Sequence, residues 1–203
     1  MVDMSERLTA KGRATRDRIV SAASTLMFER GVAGTSTEDV RAAAEVSTSQ
    51  IYHYFRDKKA LVRAVIAHQT EVVVGHQEAM LAALDSVASL RAWAAAIVRL
   101  QHTLECKGGC PIGSLGAEIA EHDADARADV VKGFDRWERA IRDGLHTMRD
   151  RGELRREADP DRLAIALLAT LQGALAMTQL RRDTVVLEIA LAEAIDHIET
   201  FTA

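Results

Sequence analysis

At 203 residues, 48% of them hydrophobic and 28% charged, the chain is long enough to bury a core without disulfide staples, and its eight aromatics and two prolines, set among abundant Ala, Leu, Arg and Glu, point to an all-α protein. Two cysteines exclude a secreted disulfide framework. With neither a signal-like leader nor an uncharged apolar run of membrane-span length, the expectation is a cytoplasmic protein with no membrane partner. The net charge of −4 is uneven: residues 1–67 carry eleven Lys or Arg against eight Asp or Glu, and residues 68–203 carry fifteen against twenty-two, which suits the N-terminal third to a polyanion.

Within that third, Arg7, Lys11, Arg13, Arg16 and Arg18 are opposed only by Asp17. A solvated helix face is the competing reading of this cluster. From 15 to 30, Ile19, Ala22, Ala23, Leu26 and Met27 recur at helical spacing, and Gly31 follows as a stop. Thr35, Ser36 and Thr37 offer N-cap hydroxyls to a short second helix, with Glu38 and Asp39 in its first turn and Val40, Ala43 and Ala44 on its inner face. Glu45 and Val46 interrupt. Ser47 and Gln50 then form a capping box ahead of a third helix through Phe55, and Asp57 caps a fourth carrying Leu61, Val65 and Ile66.

The remainder reads as amphipathic segments at about 57–84, 87–105, 114–121, 125–151, 160–182 and 184–201, with "CKGGCPIG" at 106–113 forced into a loop by three glycines and a proline. Asp159 and Pro160 mark a helix start. About nine helices are expected, in two domains: residues 1–56, a three-helix bundle, and residues 57–203, a larger helical domain.

A short helix, a tight turn and a second short helix make a helix-turn-helix, whose second helix enters the DNA major groove N-terminus first. Thr48, Ser49 and Gln50 occupy that first turn. Three of the eight aromatics crowd into 52–55; Ile51 and Phe55, four apart, are core anchors. "GVAGTSTEDVRAAAEVSTSQIYHYFRDKKAL", residues 31–61, resembles the DNA-binding signature of the TetR family of bacterial transcriptional regulators in Gly31, Thr35-Ser36, Ala43-Ala44, Val46-Ser47, Ile51-Tyr52, Phe55, Lys58 and Leu61. The resemblance implies that Ser36, Thr37, Thr48, Ser49, Gln50, Tyr52, His53, Tyr54 and Lys58 touch double-stranded operator DNA. Three positions depart from it: Arg41 stands where a small alanine is common, Glu45 where glycine is common, and Lys59 where an acid is frequent. Glu45 would need an unusual backbone if the turn still demands positive φ.

The same family resemblance implies a C-terminal domain that binds a small molecule and dimerises. The helix over 163–177 is apolar nearly all round, and with Val185, Val186, Ile189, Ala190, Ile195 and Ile198 on the next it suits a homodimer through the last two helices, about 160–201, where Gly173 and Ala174 allow close approach. "GGCPIGSLGAEIAEHDADARADVVKGFDRWERAI" is similar to the subgroup that includes LmrA- and YxaF-type repressors. That similarity implies a pocket for a flat, largely apolar effector around Trp93, His102, Cys110, Phe134 and Trp137, lined by Met80, Leu84, Leu115, Gln172 and Met177. Phe134 and Trp137 also read as core anchors.

His102, Cys106 and Cys110 recur every four residues, but Gly108, Gly109 and Pro111 break the helix that would gather them, so no metal is expected and no cofactor is implied. Cys110 at a helix start suggests a thiol-based redox sensor as an alternative; a small buried thiol is the plainer one. There is no Gly-rich phosphate loop and no Ser-His-Asp arrangement, and Glu118, Glu121, His122 and Asp123 read as a solvated helix end, so an enzyme is not expected. The leading reading is a homodimeric, ligand-responsive repressor of a palindromic operator. A helical ligand-binding protein without DNA affinity is the remaining alternative.

Overall fold

The structure is a computed structural model that describes residues 8–202; Arg7 lies outside the described residues. Ten α-helices follow one another: α1 (Ala10–Arg30), α2 (Thr37–Ala44), α3 (Thr48–Tyr54), α4 (Lys58–Thr70), α5 (His76–Ala82), α6 (Val87–Thr103), α7 (Pro111–Ile119), α8 (Ala124–Asp150), α9 (Pro160–Arg181) and α10 (Val185–Glu199). A π-helical turn, Glu71–Gly75, joins α4 to α5 without a break, so the single helix expected over 57–84 contains a π-bulge. Among the described residues no strand forms; one isolated antiparallel bridge pairs Leu154 with Thr202.

Helix starts follow the caps read from the sequence. Ser36 Oγ accepts from Asp39 N at 3.1 Å while Asp39 Oδ2 accepts from Ser36 N at 2.8 Å. Ser47 Oγ likewise accepts from Gln50 N at 3.2 Å, and Gln50 Oε1 accepts from Ser47 N at 2.8 Å. Asp57 receives Ala60 N, and Asp159 receives Arg162 N behind Pro160. Each such cap stabilises its helix by about 1 kcal/mol. Thr9, which the apolar pattern did not single out, starts α1 five residues early by receiving Gly12 N at 3.1 Å.

The described residues divide into two compact units, one comprising residues up to Glu71 with Leu115–Val130, the other Val72–Ser114 with residues from Val131 onward. This division by packing differs from the expected one at 56/57, because α4 lies along α1 and buries Leu61, Val65 and Ile66 there. In the first unit Ile19, Ala23 and Met27 of α1 share the core with Val40, Ala44, Ile51 and Phe55. Arg18 Nε donates to the carbonyl of Ala44 at 2.8 Å, satisfying an end of α2, and Arg16 lies over the Phe55 ring at 5.4 Å. Two members of the basic cluster therefore hold the bundle together.

In the second unit Trp93, Trp137, Leu84, Ile141 and Leu145 are fully buried, and Trp93 Nε1 donates to Gln77 Oε1 at 2.8 Å. Gly144 lets Leu84 approach α8, since a Cβ there would stand 2.6 Å from Leu84 Cβ. Helix α9 corrects one expectation from the sequence: the run from Leu163 to Leu180 is uncharged, and the helix is long and apolar enough to cross a membrane. It is a core helix, with Leu163, Leu167, Leu171, Ala174 and Leu175 buried against the protein.

Candidate functional site

The N-terminal face of α3 is a row of short polar side chains held out by their own cap. Thr48, Ser49, Gln50, Tyr52 and His53 are exposed, Tyr52 at 55%, while Ile51 and Phe55 turn inward. Ser47 and Ser49 hydroxyls are paired at 2.9 Å. The Ser47 amide engages Gln50 Oε1, while the Gln50 NH2 makes no such cap bond and adds donors to this face. Ser36 is exposed at the N-cap of α2, and Thr37 is half-buried beside it. The hydroxyl and amide of Ser36 hold the Asp39 carboxyl below its ordinary range.

Two of the residues carried over by resemblance sit apart from this row. Tyr54 is half-buried, edge-on to His53 with ring centroids 4.9 Å apart, and its hydroxyl points to Gly12 of α1, where a Cβ would meet it at 3.6 Å. Lys58 donates from Nζ to the Val32 carbonyl at 2.6 Å. Arg41 turns back along α2, its Nε and Nη2 2.8 and 2.6 Å from Glu38 Oε1.

The turn between α2 and α3 resolves the anomaly at Glu45, which adopts φ 51° and ψ 50°, the left-handed conformation that glycine enters without a Cβ penalty. Its amide donates to the Ala42 carbonyl at 3.3 Å, and Val46 N to the Arg41 carbonyl at 3.2 Å, closing α2 as glycine would. The turn keeps its form with an acid in it.

Sequence reasoning missed the anchor of the α1–α2 turn. Glu118 and Asp123 are not merely a solvated helix end. Glu118 receives Val32 N at 2.8 Å and Ala33 N at 2.7 Å; Asp123 caps Ala126 at 3.0 Å and lies 3.6 Å from Lys59 Nζ. Arg63 pairs with Asp129 at 2.6 Å. The sequence signal for the Glu118 contact is Gly31, which holds a φ of +76° that glycine adopts freely and where a Cβ would stand 3.0 Å from that carboxylate.

The ten residues implied for an effector are dispersed. Leu84, Trp93, Cys110 and Trp137 are buried in the second unit, and Phe134 and Gln172 are half-buried. Met80, His102 and Met177 are exposed, and Leu115 is buried in the first unit. The structure brings together Cys110, Gly113 and Gln172: a Cβ on Gly113 would stand 3.0 Å from Gln172 Oε1 and 3.7 Å from Cys110 Sγ. Gly113 N donates to that sulfur at 3.4 Å. Burial pushes the Cys110 thiol up, opposed in smaller part by the Gly113 and Ile112 amides and by the neighbouring Gln172 side chain. That is the opposite of an activated thiolate. Cys106 is a second buried free thiol, and His102 Nε2 lies 3.2 Å from Thr184 Oγ1.

Comparison with known proteins adds two family matches. Residues 19–65 match the model for "Bacterial regulatory proteins, tetR family", and residues 86–194 match "Tetracyclin repressor-like, C-terminal domain". The transcriptional repressor DhaR of Mycobacterium sp. (strain GP1) is 28% identical over 170 residues, 83% of this chain and 84% of its own. The regulator AcuR of Cereibacter sphaeroides is 29% identical over 161 residues, 77% and 74% of the two chains. Among solved structures, E. coli NemR in its reduced form superposes with a TM-score of 0.77 at 25% identity, covering 93% of this chain and 97% of its own. A regulator from Cytophaga hutchinsonii shares the fold at 0.83 and 19% identity, covering 97% and 98%.

Proposed function

The chain belongs to the TetR family of DNA-binding transcriptional regulators, and on that premise we propose that it is a cytoplasmic, homodimeric repressor released from a palindromic operator by a small, largely apolar effector. The observation that carries the DNA-binding half is the capped, exposed turn Thr48–Gln50 with Tyr52 and His53 beside it. In this reading Thr48, Ser49 and the Gln50 NH2 meet base edges, while Ser36, Thr37, Tyr52 and His53 meet phosphates. Lys58 retains further N–H donors beyond its bond to Val32 and, with Tyr54, lies at the edge of this surface.

For the dimer, α9 and α10 carry outward-facing Ile165, Met177, Leu180, Val185 and Ile189, large apolar side chains that a second copy would cover. A two-fold pair of recognition helices about one DNA turn apart then reads two half-sites. Effector binding in the second unit favours a dimer geometry that no longer fits. The naming of the relative DhaR as a repressor supports release rather than recruitment. Electrophoretic titration of purified protein against the DNA flanking its own gene is the test: tight, sequence-selective and salt-sensitive binding supports the reading, and binding no better than to unrelated DNA ends it.

A further inference from the structure

Helices α6 and α10 of the second unit pack side by side and run in opposite directions. Arg91, near the start of α6, donates to Asp196 Oδ1 at 2.6 Å and Glu199 Oε2 at 2.8 Å, near the end of α10. At the other end of the pair His102 Nε2 lies 3.2 Å from Thr184 Oγ1, just ahead of α10. Between these two ties runs an open groove of about 410 Å³. Ala94, Leu191 and Ile195 line it as buried side chains, Val98 is half-buried, and Ala95 and Ala192 are exposed. Packed helices ordinarily interdigitate and leave little such space. Here three alanines, each a single methyl group, keep it open.

The charges along the groove are unequally matched. Arg91 is paired with two carboxylates, and Glu188 Oε1 accepts from Thr184 Oγ1 at 2.5 Å and stands 3.8 Å from His102 Nε2. Arg99, one turn before His102, has no acceptor for its guanidinium among the described residues. Its planar fork of N–H donors suits a carboxylate, which it can hold through two bonds at once. Eight residues of helix separate Arg99 from Arg91, a rise of about 12 Å, so a chain running from one toward the other passes along the alanines.

A second copy of the protein is a poor occupant. Val185 and Ile189, the large exposed apolar side chains of α10, are not part of the groove. Apolar surface laid over Arg99 would also bury a cation without a counter-ion.

We propose that the α6–α10 groove binds an amphipathic carboxylate, its apolar chain against Ala94, Ala95 and Ala192 and its carboxylate on the Arg99 guanidinium. The site stands whether or not the protein is released from operator by an effector.

Calorimetry and thermal unfolding of the full chain with octanoate, 1-octanol and octylammonium test it. Octanoate is expected to bind about tenfold more tightly than octanol and to raise the melting temperature as its concentration rises, with octylammonium the weakest. Arg99→Gln should weaken octanoate about tenfold and leave octanol unchanged, a split that loss of a purely structural arginine would not produce. Ala95→Leu, at an exposed helical position, should keep the parental melting temperature and weaken octanoate and octanol together. Octanoate that fails to bind at millimolar concentration, or binds both variants as tightly as the parent, overturns the proposal. Octanol or octylammonium binding the parent as tightly as octanoate overturns the carboxylate class and the role of Arg99. A change from dimer to monomer in either variant, read by sedimentation, would assign the groove to a second copy and overturn it likewise.

Discussion

Gly31 and Glu118 fit closely: a Cβ at 31 would stand 3.0 Å from Glu118 Oε2, the oxygen that receives the Val32 amide at 2.8 Å, so a side chain there would displace the carboxylate by a few tenths of an ångström. With Ala33 N held at 2.7 Å by Oε1, the carboxylate fixes the turn that leads to Thr35 and the Ser36 cap, so it sets where α2 begins. Two amide bonds to a charged acceptor stabilise by roughly 1.5–3 kcal/mol each when well buried, and less at this half-exposed site. We expect Glu118→Ala to lower the melting temperature by about 3–6 °C and operator affinity about tenfold, with little change in affinity for unrelated DNA. Gly31→Ala should act in the same direction through strain at positive φ. Thermal unfolding and gel-shift titration read both; parental melting and operator binding in Glu118→Ala would remove the carboxylate from this role.

Glu45 gives the clearest stability prediction. A non-glycine residue held at φ 51° costs about 1 kcal/mol relative to glycine, so Glu45→Gly should raise the melting temperature by about 2–4 °C. Glu45→Ala keeps the penalty and should give no such gain. Differential scanning calorimetry of both variants separates relief of backbone strain from mere removal of a negative charge near the DNA.

How much of this was legible in the sequence depended on the range of the interaction. The cap hydroxyl at Ser36, the capping box at Ser47, the burial of Ile51 and Phe55, and the Asp159-Pro160 start depend on residues close in the chain, and the spacing showed them, though not the return bond from Asp39 that completes a box at Ser36. The positive φ at Glu45 was legible as a misfit against the resembling pattern. Contacts that join distant segments left little local trace: Gly31 alone hints that Glu118 reaches back to Val32 and Ala33, and nothing nearby announces that Lys58 bonds Val32 or Arg18 bonds Ala44. The uncharged run of α9 satisfies the length rule for a membrane span, but Thr170, Gln172, Thr178 and Gln179 interrupt its apolar pattern, so the sequence does not display it as a uniformly apolar stretch.

Recognition by α3 should separate into two mutational signatures. With the Ser47 amide bonded to Gln50 Oε1, the side chain can offer a base edge its donating NH2, so Gln50→Glu, which keeps an acceptor for the cap but loses that donor, should cost about 1–3 kcal/mol at one operator position on top of a uniform loss from its negative charge. Tyr52→Phe should weaken binding to every sequence alike while leaving the slope of affinity against salt unchanged, because a neutral hydroxyl on a phosphate releases no counterion. Titrations at several salt concentrations against the operator and single-base variants tell the two apart; identical profiles for both mutants would refute the division.

Cys110 predicts a pH dependence with a definite sign. Burial, the larger influence, favours the neutral thiol, and the amides of Gly113 and Ile112 with Gln172 only partly oppose it. An unfolded thiol ionises near pH 8.5. Above that pH the unfolded chain has released a proton that the folded chain keeps, so stability should decline as pH rises, whereas below it this group adds no slope. Cys110→Ser should flatten the decline between about pH 8.5 and 10. At pH 7.5 neither Cys106 nor Cys110, both buried, should react with iodoacetamide in the folded protein at the rate seen in denaturant. Rapid native labelling, or loss of operator binding under mild peroxide, would revive a thiol sensor.

Helix α9 offers a test of the dimer that a single chain cannot mimic. Gly173 is exposed, and a Cβ built there meets nothing within 4 Å, whereas Ala174 beside it is already buried in its own unit. For an isolated chain, Gly173→Leu should therefore be tolerated and even stabilising, by up to about 1 kcal/mol, because leucine is the better helix former in an open position. Should a second copy lay its helix across this face, the same side chain enters the closest approach of the two backbones. The variant would then dissociate at concentrations where the parent is dimeric, and operator affinity would fall with it. Leu180→Glu, at a side chain 83% exposed and free of intramolecular packing, should dissociate the dimer by placing a charge in the interface without destabilising the fold. Sedimentation of both variants beside their melting temperatures decides the matter: monomers that melt no lower than the isolated parental chain place the interface on α9, and unchanged dimers place it elsewhere.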